Sequence, residues 1–195
     1  MKKETGLMFK APLVRAILSR QKTQTRRVFT AKNGGVWPNK NDRPGMQQIM
    51  RNCTFGQPGD RIYVRETFAR VPTVCGSDDL IFAADYQDGS DKAAGVKYTP
   101  AIHMPKDLAR IWLEVTGVRV ERLQSISEED AKAEGTEPWP CDHKRQSCKD
   151  IGCTGPDHLP GFRSLWESTG GDWAANPWVW VIDFKRIERA ASHRR

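Results

Sequence analysis

The chain has 195 residues and a net charge of +7, and 38% of its residues are hydrophobic, with seven Trp and seven Phe among the aromatics. That length suits one domain with generous insertions better than two full domains, and those side chains suffice for a real core. No apolar run approaches the roughly 20 residues that cross a bilayer, and the opening MKKETGLMFK lacks the apolar stretch of a signal peptide, so a soluble cytoplasmic protein with no membrane partner is expected.

The positive balance favours an anionic partner such as nucleic acid. Leu7, Met8 and Phe9 read as a first short strand. Pro12 then opens a helical segment in which Val14, Ile17 and Leu18 recur at i, i+3 and i+4. The chain turns through Arg20 and Gln21 into Lys22-Thr23-Gln24-Thr25-Arg26-Arg27, polar where a core strand would be apolar. In strand geometry Thr23, Thr25 and Arg27 point one way and Lys22, Gln24 and Arg26 the other. From Lys10 to Lys32 there are seven Lys or Arg and no Asp or Glu. A hydroxyl, an ammonium and several guanidinium groups at one helix-to-strand turn suit anion binding or acyl transfer. From Phe29 to Pro58 repeated breakers (Gly34-Gly35, Trp37-Pro38, Arg43-Pro44-Gly45, Gln57-Pro58) predict a structureless insertion that lies over the site as a lid.

Pro58-Gly59-Asp60 is a turn, and Arg61 to Glu66 alternates, with Ile62 and Val64 on one face and Arg61, Tyr63 and Arg65 on the other. Arg65 and Glu66 at its end are candidates for substrate binding, the alternative being an ion pair that serves structure only. Leu80 to Tyr86 predicts another strand, flanked by loops over 71–79 and 89–100. His103 is read as an acid or base, or as a loop cap. Ile111, Leu113 and Val115 alternate inward, after which the phase shifts to Val118 and Val120, and Gly117 at the break predicts a β-bulge. Ser127 with Glu128, Glu129 and Asp130 forms an N-cap and an acidic first turn, opening a short helix that runs through Glu134 and stops at Gly135. Glu134 falls in the last turn, where the helix dipole disfavours an anion, so helix stability does not explain it.

Five cysteines form an odd set, which argues against a disulfide framework. Cys141, His143, Cys148, Cys153 and His158 cluster, and a zinc site takes four such ligands. No Cys-x-x-Cys pair is present, however, so the reading is a polar insertion with incidental thiols, no assigned metal and no cofactor. Phe162, Leu165 and Trp166 mark a further helix. Trp178 to Phe184 predicts a closing strand buried on both faces, its tryptophans packing rather than stacking on bases. Residues 186–195 form a basic tail, frayed over 190–195.

These pieces predict an α+β fold: a small curved β-barrel with short rim helices and long loop insertions. The domain would span 1–195, with insertions at about 29–58 and 138–160. Ile17 to Arg27, Gly59 to Glu66, Ile126 to Gly135 and Trp178 to Phe184 together resemble the ASCH family, whose fold is related to the PUA barrel of RNA-binding proteins. Ile102-His103-Met104-Pro105 and the Phe162 to Trp166 helix are similar to the longer ASCH proteins of bacteriophages and prophages. Some small ASCH proteins are amidohydrolases that remove the acetyl group from N4-acetylcytidine, using a Lys, a Thr three residues later and a distant Glu. The resemblance places these roles on Lys22 as base, Thr25 as nucleophile and Glu134 as orienting acid or base. It makes Arg27 a substrate-binding residue, with Arg20 and Arg26 beside it in the basic stretch. The implied function is binding of RNA or a modified nucleoside with hydrolysis of an N-acyl group. A ribonuclease in the same basic cleft and a non-enzymatic phage interaction module are the alternatives. Lys22 serves as a base only if its pKa is lowered: Arg20, Arg26 and Arg27 push it down and Glu134 pushes it up.

Overall fold

The computed structural model describes residues 2–30, 41–72, 78–87, 90, 94–140 and 157–188. The strands are β1 (Glu4–Met8), β2 (Gln24–Val28), β3 (Arg61–Arg65), β4 (Phe68–Pro72), β5 (Asp78–Phe82), β6 (Trp112–Arg122) and β7 (Trp178–Ile187). The helices are α1 (Ala11–Leu18), α2 (Arg43–Arg51), α3 (Glu128–Ala133) and α4 (Leu159–Ser168). Five strands form one sheet in the order β1-β3-β6-β7-β2, and β4 and β5 form a separate two-stranded sheet. The larger sheet ends in β1 and β2 as edge strands, so the α+β class holds but the sheet is not closed into a barrel. Alternation in a sequence tells which face of a strand is buried; it does not tell whether the two end strands meet.

The chain divides into two compact units. The first comprises Met1–Arg20, Phe55–Thr116 and Phe184–Arg195. Here β1 pairs in parallel with β3, Leu7 facing Val64, and β3 pairs antiparallel with the start of β6, Ile62 facing Leu113. Ile62, Val64, Ile111, Leu113 and Val115 are all buried, as their alternation predicts. In α1, Pro12 sits in the first turn and Val14, Ala16 and Ile17 are buried. Phe68, Phe82, Met104, Ala109 and Trp112 form a further cluster. Residues 71–72, expected as loop, belong to β4, which pairs antiparallel with β5 so that Phe68 faces Phe82. The strand expected over Leu80 to Tyr86 is β5 followed by a short tight helix, Ala83–Asp85.

The second unit comprises Gln21–Thr54 and Gly117–Asp183. Its core joins Leu123, Ile126, Ala131, Phe162, Trp166, Val179 and Val181. β2 pairs antiparallel with β7 from Gln24 opposite Asp183 to Val28 opposite Val179. Val179, Trp180, Val181 and Ile182 are fully buried, so both faces of this strand are covered. Trp180 packs on Phe29 with ring centroids 5.2 Å apart, the packing role expected for it. The stretch 29–58 is not structureless, since it contains α2, whose start Asp42 caps by accepting from the Gly45 N–H at 3.0 Å. β7 continues through Ile187, so residues 186–187 of the expected basic tail belong to a strand, and 189–195 lie outside the described residues.

β6 runs as one strand through Gly117, which is not among the glycines with positive φ. Its role is room: a Cβ there would lie 2.8 Å from Asp183 Oδ2. That oxygen accepts from Arg119 and its partner oxygen from Gln24, so Asp183 does not yield freely. Gly117→Ala is expected to lose about 1–3 kcal/mol, the usual cost of overpacking, measured as a lower urea midpoint at unchanged slope.

Candidate active site

The segment leading into β2 is tied by a backbone bond from Thr23 N–H to the Ala133 carbonyl at 2.8 Å. β2 starts at Gln24, so Lys22 and Thr23 precede the strand instead of lying in it. The tether sets Lys22 against the end of α3. Ser127 caps that helix by accepting from Asp130 N–H, and Gly135, at φ 76°, ends it in the left-handed conformation that glycine takes most easily. Glu134 is therefore the C-cap residue. Its carboxylate Oε2 accepts from Lys22 Nζ at 2.6 Å, and its backbone carbonyl accepts from the same nitrogen at 2.8 Å. Both side chains are buried, at 0% and 4% exposure. The glutamate that helix stability leaves unexplained is thus the partner of the buried lysine.

Burial pushes the Lys22 pKa below its ordinary value of 10.5, Glu134 pushes it up, and Arg27 and Arg26 push it down again, with a net lowering. Burial outweighs the carboxylate, which resolves the opposition left open by the sequence. A lysine amine in its neutral form carries a lone pair able to take a proton, and the lowered pKa favours that form.

Thr25 is buried in β2 opposite Ile182, and among the described residues no hydrogen bond engages its hydroxyl. The structure thus joins Lys22 to Glu134, while the Thr25 hydroxyl is bonded to neither. Arg27 is half-buried; burial lowers its pKa and Glu134 opposes this, so the two groups lie within electrostatic reach.

Arg26 has 0% side-chain exposure and is occupied by the protein itself. Nη1 donates to Gln24 Oε1 and to Glu134 Oε1, and Nη2 donates to Glu121 at 2.6 Å and to Asp130 at 2.9 Å. The network continues through Gln24, which donates to Asp130 and Asp183, and Arg119, which donates to Glu121, Asp130 and Asp183. Burial alone would raise the Asp130 pKa, but the hydrogen bond from Gln24 and the charges of Arg119 and Arg26 hold it below the usual range. The contact of Gln24 with Arg26 follows the predicted alternation. The sequence assigns no site role to Gln24, Arg119, Glu121, Asp130 or Asp183; the polarity of β2 hints only at Gln24.

Arg20, Arg65, Glu66 and His103 lie in the first unit. Arg20 follows α1 at φ 63° and is exposed. Arg65 donates to the carbonyls of Met104 and Ile102. Glu66, 1% exposed, pairs with Arg110 through both oxygens, so the ion pair it makes is with Arg110. His103 is exposed at the end of a tight turn. His158, in the second unit, meets the Thr136 carbonyl through ring Nδ1 at 2.9 Å, and its backbone N–H donates to Glu128. Cys141, His143, Cys148 and Cys153 lie outside the described residues. Among the described residues no group of three or more His, Cys, Asp or Glu is placed to hold a metal ion.

No protein-family model matches the chain, and no curated protein matches it. Among solved structures it is similar to an ASCH domain from Lactobacillus crispatus, at 12% identity and a TM-score of 0.40, covering 96% of this chain and 81% of that one. It is also similar to a DUF984 protein from Enterococcus faecalis, at 10% identity and a TM-score of 0.39, covering 100% of this chain and 86% of that one. Among the described residues no helix is long and apolar enough to cross a membrane.

Proposed function

We propose that the second unit carries an amidohydrolase site for N-acylated cytosine nucleosides of the N4-acetylcytidine type, free or within RNA. The observation that carries this reading is the buried contact of Lys22 with Glu134, in which the amine is pushed toward its neutral, proton-accepting form. The motif resemblance of Lys22, Thr25 and Glu134 supports the same assignment. The Thr25 oxygen attacks the acyl carbon as Lys22 Nζ takes its proton, an approach completed when substrate is bound. The C–N bond breaks as that proton passes to the departing exocyclic nitrogen. Water then adds to the acyl-threonine, again giving its proton to Lys22, and the carboxylic acid leaves as the Thr25 hydroxyl is restored. Glu134 orients the amine, Arg26 orients Glu134, and Arg27 contacts the substrate.

Purified protein incubated with N4-acetylcytidine is expected to yield cytidine and acetate, followed by chromatography. Thr25→Ala and Lys22→Ala are each expected to reduce kcat/KM by roughly 10²–10⁴-fold, the range for a positioned acid–base or nucleophilic group. Full activity in Thr25→Ala overturns the nucleophile assignment. Shortening of an RNA chain without acyl release would favour a ribonuclease in its place.

A further inference from the structure

The first unit contains a cavity of about 320 Å³ lined by Arg20, Arg110, Arg186, Ile187 and Glu188. Three guanidinium groups on one small cavity need explaining, and each stands differently. Arg110 donates four N–H bonds to Glu66 and Asp85 and lies 4.0 Å from the centre of the Phe82 ring. Of its five donors one remains, on Nη1, and its charge is already compensated. Arg186 spends one weak bond, at 3.4 Å, on the Leu18 carbonyl. The Arg20 side chain makes no hydrogen bond or ion pair among the described residues, and neither does Glu188.

The backbone at Arg20 is unusual as well. Helix α1 ends at Leu18, Ser19 is its C-cap, and Arg20 follows at φ 63°, its N–H bonded to the Ile17 carbonyl. This is the left-handed position after a helix that glycine fills most easily. An arginine here accepts backbone strain that glycine would avoid, and strain of this kind persists where function requires a side chain. The side chain that the position carries is one of those lining the cavity.

We propose that this cavity binds the phosphoryl group and ribose of a nucleotide. Arg20 and Arg186 supply the uncompensated positive charge and forked N–H donors that match phosphate oxygens, and the remaining Arg110 donor fixes an edge. Glu188 would repel a bare phosphate, but a carboxylate beside a phosphate site accepts hydrogen bonds from ribose hydroxyls. The paired charges therefore select a sugar phosphate over an inorganic anion. The volume falls at the lower end of small-molecule sites, which run from about 300 Å³ upward. The phosphoryl group could belong to a free nucleotide or to the end of an RNA chain.

The test is calorimetric titration of the full-length protein with adenosine 5′-monophosphate, which carries no acyl group and so is independent of the amidohydrolase reading. Binding is expected, with adenosine and inorganic phosphate each at least tenfold weaker. Arg20→Gly should weaken the nucleotide at least tenfold while its melting temperature stays equal or rises, because strain is relieved. Glu188→Gln should weaken adenosine 5′-monophosphate but leave its 2′,3′-dideoxy analogue unchanged. Lys22→Ala should keep the nucleotide affinity. Tighter binding of the monophosphate than of a 5′-phosphorylated RNA trimer assigns the free nucleotide, and the reverse order assigns the RNA end; either supports the site. Absence of nucleotide binding, affinity unaffected by Arg20→Gly, or loss of affinity in Lys22→Ala overturns it.

Discussion

Glu134→Gln is expected to shift the rising limb of the kcat/KM–pH profile for N4-acetylcytidine to lower pH, and to lower its plateau by about 10²-fold, the low end for a positioned acid–base group. The shift follows from the forces on Lys22. Burial lowers its pKa from 10.5, and the charge and hydrogen bond of Glu134 are what hold it up. Removing the carboxylate charge leaves burial, Arg27 and Arg26 acting in one direction, so the neutral amine appears at lower pH. The plateau falls because the glutamine no longer holds the amine with a charged acceptor. Lys22→Ala should abolish the limb itself. A limb that stays in place or moves up in Glu134→Gln would mean that another group titrates. The same pKa has a consequence for stability. A lysine whose folded pKa lies below its unfolded value binds fewer protons in the native state between the two values, so this group's contribution rises with pH through that window. Below the folded pKa its cost is present in full. Thermal unfolding across alkaline pH should show this slope in the wild type and lose it in Lys22→Ala.

The candidate site was legible in part, and the reason lies in which contacts are local. Lys22 and Thr25 stand out as polar residues entering a strand, and Glu134 as an acid at the wrong end of a helix. Those oddities can be seen within a few residues of sequence, and the Lys22–Glu134 contact is what they point to. The network around Arg26 could not be read the same way. Its carboxylates come from β6 and α3, with Glu121 separated by 95 residues, and Gln24 reaches Asp183 across 159. Asp130 looked like an ordinary first-turn acid and Asp183 like the polar end of an apolar strand. Fold readings failed for related reasons. The alternation of Ile62, Val64, Leu113 and Val115 located buried faces but carried nothing on closure of the sheet. β4 contains Pro72 and only five residues, so its pattern was too short to distinguish from a loop. Helix α2 buries little of its surface, Ile49 being its one buried side chain among those described, and its Asp42 cap and Pro44 were signals lost among the breakers around them.

Arg26→Met is expected to lose about 3–5 kcal/mol of stability, the range for removing one member of a buried charged cluster. The guanidinium is the shared donor for Glu134, Glu121, Asp130 and Gln24, and it lies 5.6 Å from the centre of the Phe162 ring. Methionine fills the space of the stem but leaves Glu134, at 4% exposure, without the guanidinium charge and removes one of the two cations on Glu121 and Asp130. Arg26→Lys should recover only a fraction, since a point charge cannot span four acceptors as the fork does. Arg119→Met is the internal comparison. Arg119 bonds to Glu121 and Asp130, as Arg26 does, and to Asp183, but is 35% exposed, so water replaces its donors and the loss should be markedly smaller. Urea unfolding of the three variants measures the ordering. Combining Arg26→Met with Glu134→Gln should cost less than the sum of the two, because the second change removes the carboxylate charge that the first leaves unpaired. Additive losses would show that Arg26 acts through packing alone and does not position Glu134 against Lys22.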